Sequence, residues 1–159
     1  MKIHFVCTGN TFRSRIAEAY LKSKLMPGID VSSSGIEAKI NLSGSITWYA
    51  KDILDKRGLL QFTKKSWDQT TKQQLEEQDL VVFMSQTSFE YCKNKLHFAP
   101  IAHLVWNIDD VGDALSVEEL QSNTIISKFV EANYIVITKK VDDLIEQIQG
   151  GKIEIPSLS

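Results

Sequence analysis

Two side chains near the start of the chain can act together on an anion. Cys7 and Arg13 are separated by five residues, among them Gly9, which allows the backbone to turn sharply. The N–H groups of such a turn can surround an oxyanion, and an arginine can bind the same anion with its forked guanidinium. A helix beginning near Ser14 would point its positive end at the same place, where a thiol ionises readily. The spacing therefore predicts a phosphate-binding loop with a nucleophilic cysteine.

The residues on either side of this segment predict the strand and the helix that such a loop requires. Residues 1–6 form a short apolar run that favours a buried strand, and residues 13–25 carry apolar side chains at helical spacing. A buried structural cysteine before an ordinary strand-to-helix turn is the alternative interpretation. The order of strand, loop and helix favours the reactive cysteine.

Apolar strands alternate with helical patterns along the rest of the chain. Further strands are predicted at 29–34, 80–84 and 101–105. Helices are predicted at 45–57, 70–78, 86–96 and 116–149, the last with a break near Asn133 and Tyr134. This pattern predicts one α/β domain over residues 1–150, a four-stranded parallel sheet with helices on both faces and the phosphate-binding loop after the first strand. Residues 151–159 are expected to form a C-terminal tail.

Composition excludes several classes of function. The 159 residues are 43% hydrophobic and 24% charged, which is typical of one globular core, and the net charge of -2 gives no support to nucleic acid or an anionic membrane as partner. We expect no membrane span and no signal peptide, and two cysteines are too few for a disulfide framework. The three histidines form no metal-ligand pattern, so neither metal nor cofactor is expected. A cytoplasmic location is predicted, because a reactive thiol needs reducing surroundings.

The loop and its surroundings resemble the low-molecular-weight protein tyrosine phosphatases. The similar signature runs from Phe5 to Thr11 and continues with Arg13-Ser14 and Ala17-Glu18-Ala19. Further similar stretches follow in family order at 27–29, 31–36, 54–58, 79–84 and 106–110. The resemblance implies the fold described above and cysteine-dependent hydrolysis of phosphomonoesters, of the phosphotyrosine type, on a phosphorylated protein or a small phosphomonoester.

The loop residues can be assigned roles in such a reaction. Cys7 would attack phosphorus and form a phosphocysteine, while Arg13 would hold the phosphoryl oxygens and the developing charge. The backbone amides would complete the anion site, so the predicted substrate-binding residues are Thr8, Gly9, Asn10, Thr11, Phe12 and Ser14. The resemblance implies that the Ser14 hydroxyl steadies the thiolate and that Ser33 supports Asn10. A serine facing water at the end of a strand is the alternative for Ser33.

A leaving phenolate or alkoxide needs a proton from a carboxylic acid above the loop. The resemblance places this acid after the last strand, and alignment on Trp106 gives Asp110, with Asp109 as the next candidate. The family has proline after the acid where this chain has Val111, which leaves the loop of the acid less constrained. A solvated acidic loop is the alternative, whereas the spacing of Asp109, Asp110 and Asp113 does not match a known calcium loop.

Two departures from the family pattern affect regulation and specificity. Phe12 occupies the position of a second loop cysteine, so oxidation of Cys7 would have no adjacent thiol to stop it. Lys39, Gly112 and Asp113 stand where the family carries walls that cradle a phosphotyrosine ring. The aromatic residues that could line a pocket instead, each with a core or helix-face alternative, are Phe12, Trp48, Tyr49 and Trp67.

Two other functions stay open at this point. Arsenate reductases share this fold and loop, but the chain offers only Cys92 after the third strand and so could use only an external thiol. A non-catalytic phosphate-binding module is the other alternative, suggested by the altered acid loop and by Phe12. Turnover of para-nitrophenyl phosphate separates the phosphatase from the binding module, and arsenate turnover with added thiols tests the reductase.

Overall fold

The computed structural model describes residues 1–99 and 102–153 of the chain. The strands are β1 (Lys2–Cys7), β2 (Asp30–Gly35), β3 (Leu80–Phe83) and β4 (His103–Val105). The helices are α1 (Arg13–Ser23), α2 (Trp48–Lys56), α3 (Lys72–Glu76), α4 (Gln86–Asn94), α5 (Val111–Ala114) and α6 (Asn123–Gln149). Short 3₁₀ turns lie at Ala38–Ile40, Leu60–Phe62 and Glu119–Gln121.

The four strands form one parallel sheet, as the sequence predicts, and the structure gives their order as β2-β1-β3-β4. Strand β1 lies in the centre, where Phe5 pairs with Ser33 of β2 and with Val82 of β3. Its last residue, Cys7, pairs with Gly35 at the carboxyl edge of the sheet. Ligands bind at that edge in open parallel sheets, so the topology places the sulfur where chemistry is expected.

Helices cover both faces of the sheet, because alternate residues of the central strands point to opposite sides. On one face Phe5 and Val82 pack with residues of α1, α2 and α6. On the other face Val81 and Phe83 pack with Leu75 of α3 and with residues of α4. The prediction of helices on both faces is confirmed.

The observed helix ends differ from the predicted ones where a polar side chain caps the backbone. Helix α3 is shorter than predicted, and its first turn is capped by Thr71, whose Oγ1 accepts from the N–H of Gln74 (3.2 Å). Ser122 caps α6 in the same way, which starts this helix at Asn123. The predicted break near Asn133 is wrong, because the helix continues and the Asn133 amide donates to the carbonyl of Asp109 (2.9 Å) instead.

Parts of two predictions lie outside the described residues, namely Ile101 of the predicted fourth strand and 154–159 of the predicted tail. None of the helices described here combines the length and hydropathy of a transmembrane span. Within residues 1–99 and 102–153, no group of three or more histidine, cysteine, aspartate or glutamate side chains is placed to hold a metal ion.

Candidate active site

The loop between β1 and α1 wraps its backbone around the sulfur of Cys7. Asn10 adopts a left-handed backbone conformation, with φ of 55°, which asparagine tolerates better than most residues. Its N–H donates to Sγ of Cys7 (3.2 Å), and the hydroxyl of Ser14 lies 2.9 Å from the same sulfur. The thiol is buried, at 2% exposure, beside the N-terminal end of α1, whose dipole favours a negative charge there.

The polar groups of Asn10 are all engaged, which fixes the strained turn in place. Its side-chain amide donates to the hydroxyls of Ser14 (2.7 Å) and Ser33 (2.9 Å). Its side-chain oxygen accepts from the N–H of Asp68 (2.9 Å), and its carbonyl accepts from Arg15 (3.2 Å). Ser33 is fully buried, so it does not face water.

Strand β2 approaches the loop so closely that only glycine fits at its end. A Cβ atom on Gly35 would lie 2.6 Å from the carbonyl oxygen of Thr8 and 2.7 Å from the nitrogen of Asn10. Backbone bonds hold the two segments together, from Ile36 N–H to the carbonyl of Cys7 (3.0 Å) and from Glu37 N–H to that of Thr8 (2.8 Å).

The guanidinium of Arg13 joins the loop to the segment after β4. It donates to the carbonyl of Ile108 (2.8 Å) and to the hydroxyl of Thr8 (3.3 Å). The same group lies 3.7 Å from the carboxylate of Asp110. Because Ile108 in turn donates its N–H to Met84 (3.0 Å), the acid-bearing segment stays fixed to the edge of the sheet.

Of the two predicted acids, Asp110 is the one whose carboxylate reaches the loop. It caps the short helix α5, with Oδ1 accepting from the N–H of Val111 (2.9 Å), and its side chain is one-third exposed, at 34%. Asp109 is exposed, and its backbone carbonyl contacts Asn133. The geometry therefore favours Asp110, and the role of proton donor stays a prediction.

A cavity of about 350 Å³ opens in front of the loop. Its lining residues are Thr8, Gly9, Thr11, Glu37, Ile40, Asn41, Leu42, Ser43, Thr47, Tyr49 and Asp110. Two of them, Glu37 and Asp110, bring carboxylates to the same space. A larger and more open groove of about 480 Å³ lies between α2 and α6, but none of the predicted catalytic residues lines it.

Of the four aromatic residues that could line a pocket, Tyr49 lines this cavity. Burial, aided by the charge of Asp110, raises the pKa of Tyr49 to about 12, so its hydroxyl stays protonated at neutral pH. The side chain of Phe12 is buried in the core and packs edge-on against Tyr49, with ring centres 5.1 Å apart. Phe12 can therefore contact a ligand only through its backbone. Trp48, which is exposed, and Trp67 are not among the residues that line the cavity.

A second polar network lies behind the loop, around His4. Burial lowers the pKa of His4 to about 3, and its ring nitrogens lie 2.6 Å from the Ser32 hydroxyl and 2.7 Å from that of Ser34. Lys64 donates to the carbonyl of Ser33 (2.6 Å) and pairs with Asp68 (2.8 Å), and burial lowers the pKa of Lys64. This network supports the strand that contacts Asn10.

Sequence reasoning missed three residues that hold the loop: Arg15, Gly35 and Asp68. Gly35 falls in the similar stretch 31–36, just after the predicted strand 29–34, but its backbone contacts depend on the sheet order. Arg15 and Asp68 are charged residues, which a sequence alone would place on the surface, and no spacing rule relates them to Asn10. The other cysteine, Cys92, lies in the core on the far face of the sheet, where burial raises its pKa to about 12.

Comparison with known proteins gives these features a family context. Residues 2–149 match the family model described as low molecular weight phosphotyrosine protein phosphatase. A protein-arginine-phosphatase from Geobacillus stearothermophilus is 43% identical over 58 residues, which are 36% of this chain and 38% of that protein. An arsenate reductase from Oceanobacillus iheyensis is 31% identical over 117 residues, or 74% of this chain and 78% of that protein.

A solved structure shares the fold over almost the whole chain. The low molecular weight phosphotyrosine phosphatase VcLMWPTP-2 from Vibrio cholerae superposes with a TM-score of 0.70, covering 96% of this chain and 99% of that chain at 22% identity. At that identity the likeness shows the fold alone. The match to the arginine phosphatase spans only 38% of that relative, whereas the family model spans residues 2–149. The chain belongs to the low-molecular-weight phosphotyrosine protein phosphatase family.

Proposed function

We propose that this protein is a cysteine-dependent phosphatase with Cys7 as nucleophile, Arg13 as clamp for the phosphoryl group and Asp110 as general acid. The arrangement of these three side chains around the loop supports the proposal. The sulfur of Cys7 accepts from the Asn10 N–H (3.2 Å), and the guanidinium of Arg13 lies 3.7 Å from the carboxylate of Asp110, which lines the cavity in front of the loop.

The first half of the reaction transfers the phosphoryl group to the enzyme. The Cys7 thiolate attacks phosphorus, a sulfur–phosphorus bond forms, and the bond to the leaving group breaks. Protonated Asp110 gives its proton to the departing atom, so the leaving group departs neutral. Loop amides and Arg13 hold the negative charge on the equatorial oxygens throughout.

The second half releases phosphate and restores the enzyme. A water molecule attacks the phosphocysteine, and the Asp110 carboxylate now accepts a proton from that water. The sulfur–phosphorus bond breaks and the thiolate returns to its site beside Ser14 and Asn10.

The substrate we propose is a phosphorylated protein side chain, with phosphoarginine as a second candidate beside phosphotyrosine. Glu37 places a carboxylate on the cavity wall beside Asp110, where it would attract a guanidinium group. Tyr49 gives the same wall one aromatic side chain for a phenyl ring. The relative from Geobacillus stearothermophilus, which is named a protein-arginine-phosphatase, adds support for the arginine candidate.

Arsenate reduction with an external thiol is the less favoured alternative, and an internal thiol relay has no support from the positions of the two cysteines. Such a relay needs a second thiol that reaches Cys7, and Cys92 is buried among apolar side chains on the opposite face of the sheet. Both cysteines are free. We therefore propose phosphate chemistry in a reducing compartment such as the cytoplasm, where Cys7 stays a thiol.

Turnover of para-nitrophenyl phosphate by three proteins tests the proposal. Wild-type protein and Cys92→Ala should release para-nitrophenol, since Cys92 lies away from the loop. Cys7→Ser should release none while its circular dichroism stays unchanged. Retained turnover in Cys7→Ser would rule out the thiol route, and loss of turnover in Cys92→Ala would point to a second participating thiol.

A further inference from the structure

A charged side chain that the proposed chemistry does not use lies fully buried behind the phosphate loop. Arg15 occupies the first turn of α1, two residues after Arg13, and is 0% exposed. Its guanidinium donates to backbone carbonyls and to the hydroxyl of Thr63, so it has no donor left for a substrate. An arginine is rarely buried unless all its donors are satisfied, and this one calls for an explanation.

Every N–H donor of Arg15 has an acceptor. Nε and Nη2 both donate to the hydroxyl oxygen of Thr63, at 3.2 and 3.1 Å. Nη1 donates to the carbonyls of Asn10 (3.2 Å) and Ser45 (2.9 Å), and Nη2 also donates to the carbonyl of Lys64. These bonds use the full set of five donors that a guanidinium has, so one side chain joins three separate segments of the chain.

The bond to Asn10 determines where the next amide points. No described peptide bond is cis, and in a trans peptide the C=O and the following N–H point in opposite directions. Arg15 holds the carbonyl of Asn10 on the buried side of the loop. The N–H of Thr11 therefore points to the other side, where Thr11 lines the cavity.

The same bond stabilises the left-handed turn that aims a second amide at the sulfur. Asn10 has φ of 55° and donates its N–H to Cys7 (3.2 Å). Glu18, buried one turn further along α1, offsets part of the positive charge of Arg15.

We propose that Arg15 is a positioning residue for the phosphate loop, which fixes the Asn10–Thr11 peptide so that the Thr11 N–H faces the phosphoryl oxygens. The inference rests on the proposed function, because it assigns a residue that shapes that site. Lysine cannot replace it, since one ammonium cannot span three separate acceptor segments.

Steady-state kinetics with para-nitrophenyl phosphate test the positioning role. Arg15→Ala should lower kcat by about 10²-fold, as a displaced loop amide does, and Arg15→Lys should lose nearly as much. Guanidinium ion, added well below denaturing concentration, should restore part of the activity of Arg15→Ala by entering the vacated site. Arg57→Ala is the matched control, because Arg57 is an exposed arginine paired with Glu131 (2.7 Å).

The kinetic results that contradict the proposal are equally specific. Wild-type kcat in Arg15→Lys would show that charge alone suffices. A loss in Arg15→Ala that follows only its lower melting temperature, with no rescue by guanidinium, would show a purely structural role. Either result overturns the positioning role.

Binding of inorganic phosphate gives a readout that does not depend on turnover. In wild-type protein, titration with phosphate should shift the Thr11 amide proton downfield in NMR spectra, and Arg15→Ala should lose that shift. A retained shift in Arg15→Ala overturns the inference, whatever the activity of the enzyme. Absence of ester hydrolysis by wild-type protein would instead count against the proposed function and leave this test in force.

Discussion

The two sides of the anion site are built in different ways. The loop floor consists of Cys7, Asn10, Arg15, Ser33 and Gly35, all buried and tied together by hydrogen bonds or direct backbone contact. The cavity wall consists of Glu37, Leu42, Tyr49 and Asp110, of which Leu42 is fully exposed and Asp110 is one-third exposed.

This contrast separates chemistry from substrate choice. A buried floor whose polar groups are satisfied can hold amide hydrogens still while charge develops on the phosphoryl group. An exposed wall can change residues at little cost in stability, as surface positions generally do. Asp110 links the two, because its carboxylate faces Arg13 although it stands on the wall.

The largest effect on kcat is expected at Asp110, where the cavity wall meets the loop floor. Asp110→Asn should lower kcat about 10²–10⁴-fold for esters with poor leaving groups, because the proton donor is lost. Esters of acidic phenols, which leave without a proton, should be affected much less. Kinetics over a series of aryl phosphates measure the difference. Asp109→Asn is the control, and a larger effect there would transfer the role of acid to Asp109.

Gly35→Ala tests how tightly the floor is packed. The added methyl would lie within 2.8 Å of three backbone atoms of the loop, so the loop must move. We expect a loss of about 1–3 kcal/mol in the free energy of unfolding, together with a lower kcat. Urea denaturation and turnover measure both. Gly112→Ala is the control: it lies in α5, where a methyl meets nothing within 4 Å, so the protein should lose no stability and should gain a little from the helix preference of alanine. Unchanged stability and kcat in Gly35→Ala would show that the loop yields to the added methyl.

His4, which lies beneath the loop floor, should make the free energy of unfolding depend on pH. Its pKa is about 3 in the folded protein against an ordinary value of 6.5, so the unfolded chain binds the extra proton between these values. The contribution of His4 to the free energy of unfolding should therefore be fully present above pH 6.5. It should decrease as the pH falls, by about 2 kcal/mol between pH 7 and pH 5.

Denaturation curves across that pH range measure the slope. His4→Gln should flatten it, whereas His97→Asn should keep it, since His97 is exposed and asparagine accepts its φ of 56°. An equal slope in wild-type protein and His4→Gln would mean that His4 is not held neutral.

The smallest effects are expected on the wall. Glu37→Gln should lower kcat/KM for a phosphoarginine peptide by about twofold to fivefold relative to a phosphotyrosine peptide of the same sequence, as an exposed ion pair allows. The melting temperature should not change. Parallel kinetics on the two peptides measure the ratio, and a uniform loss on both would place Glu37 in the floor instead.

The sheet and the loop were predictable because both depend on local patterns. Buried apolar runs such as 80–84 mark central strands, and a cysteine followed by an arginine at the right distance marks the anion site. Alignment on Trp106 gives Asp110 ahead of Asp109, but the approach of the Asp110 carboxylate to Arg13 needed the structure, because neighbouring residues of a loop can point in any direction.

The hydrogen bonds by which Arg15 supports the loop floor were not predictable from the sequence. Arg15 satisfies its donors with backbone carbonyls, which every residue has, so no side-chain pattern reveals the contact. The wrong break at Asn133 has the same origin, since its amide finds a partner far away in sequence, at Asp109. Tertiary hydrogen bonds of this kind override local propensity.

The central claim is that Cys7 carries the phosphoryl group during turnover. Rapid acid quenching of the enzyme during turnover of para-nitrophenyl phosphate, followed by mass spectrometry of its peptides, tests this claim directly. We expect one phosphoryl group on the peptide that contains Cys7 and none on the peptide that contains Cys92. A steady release of para-nitrophenol with no modified Cys7 peptide at any quench time would contradict it.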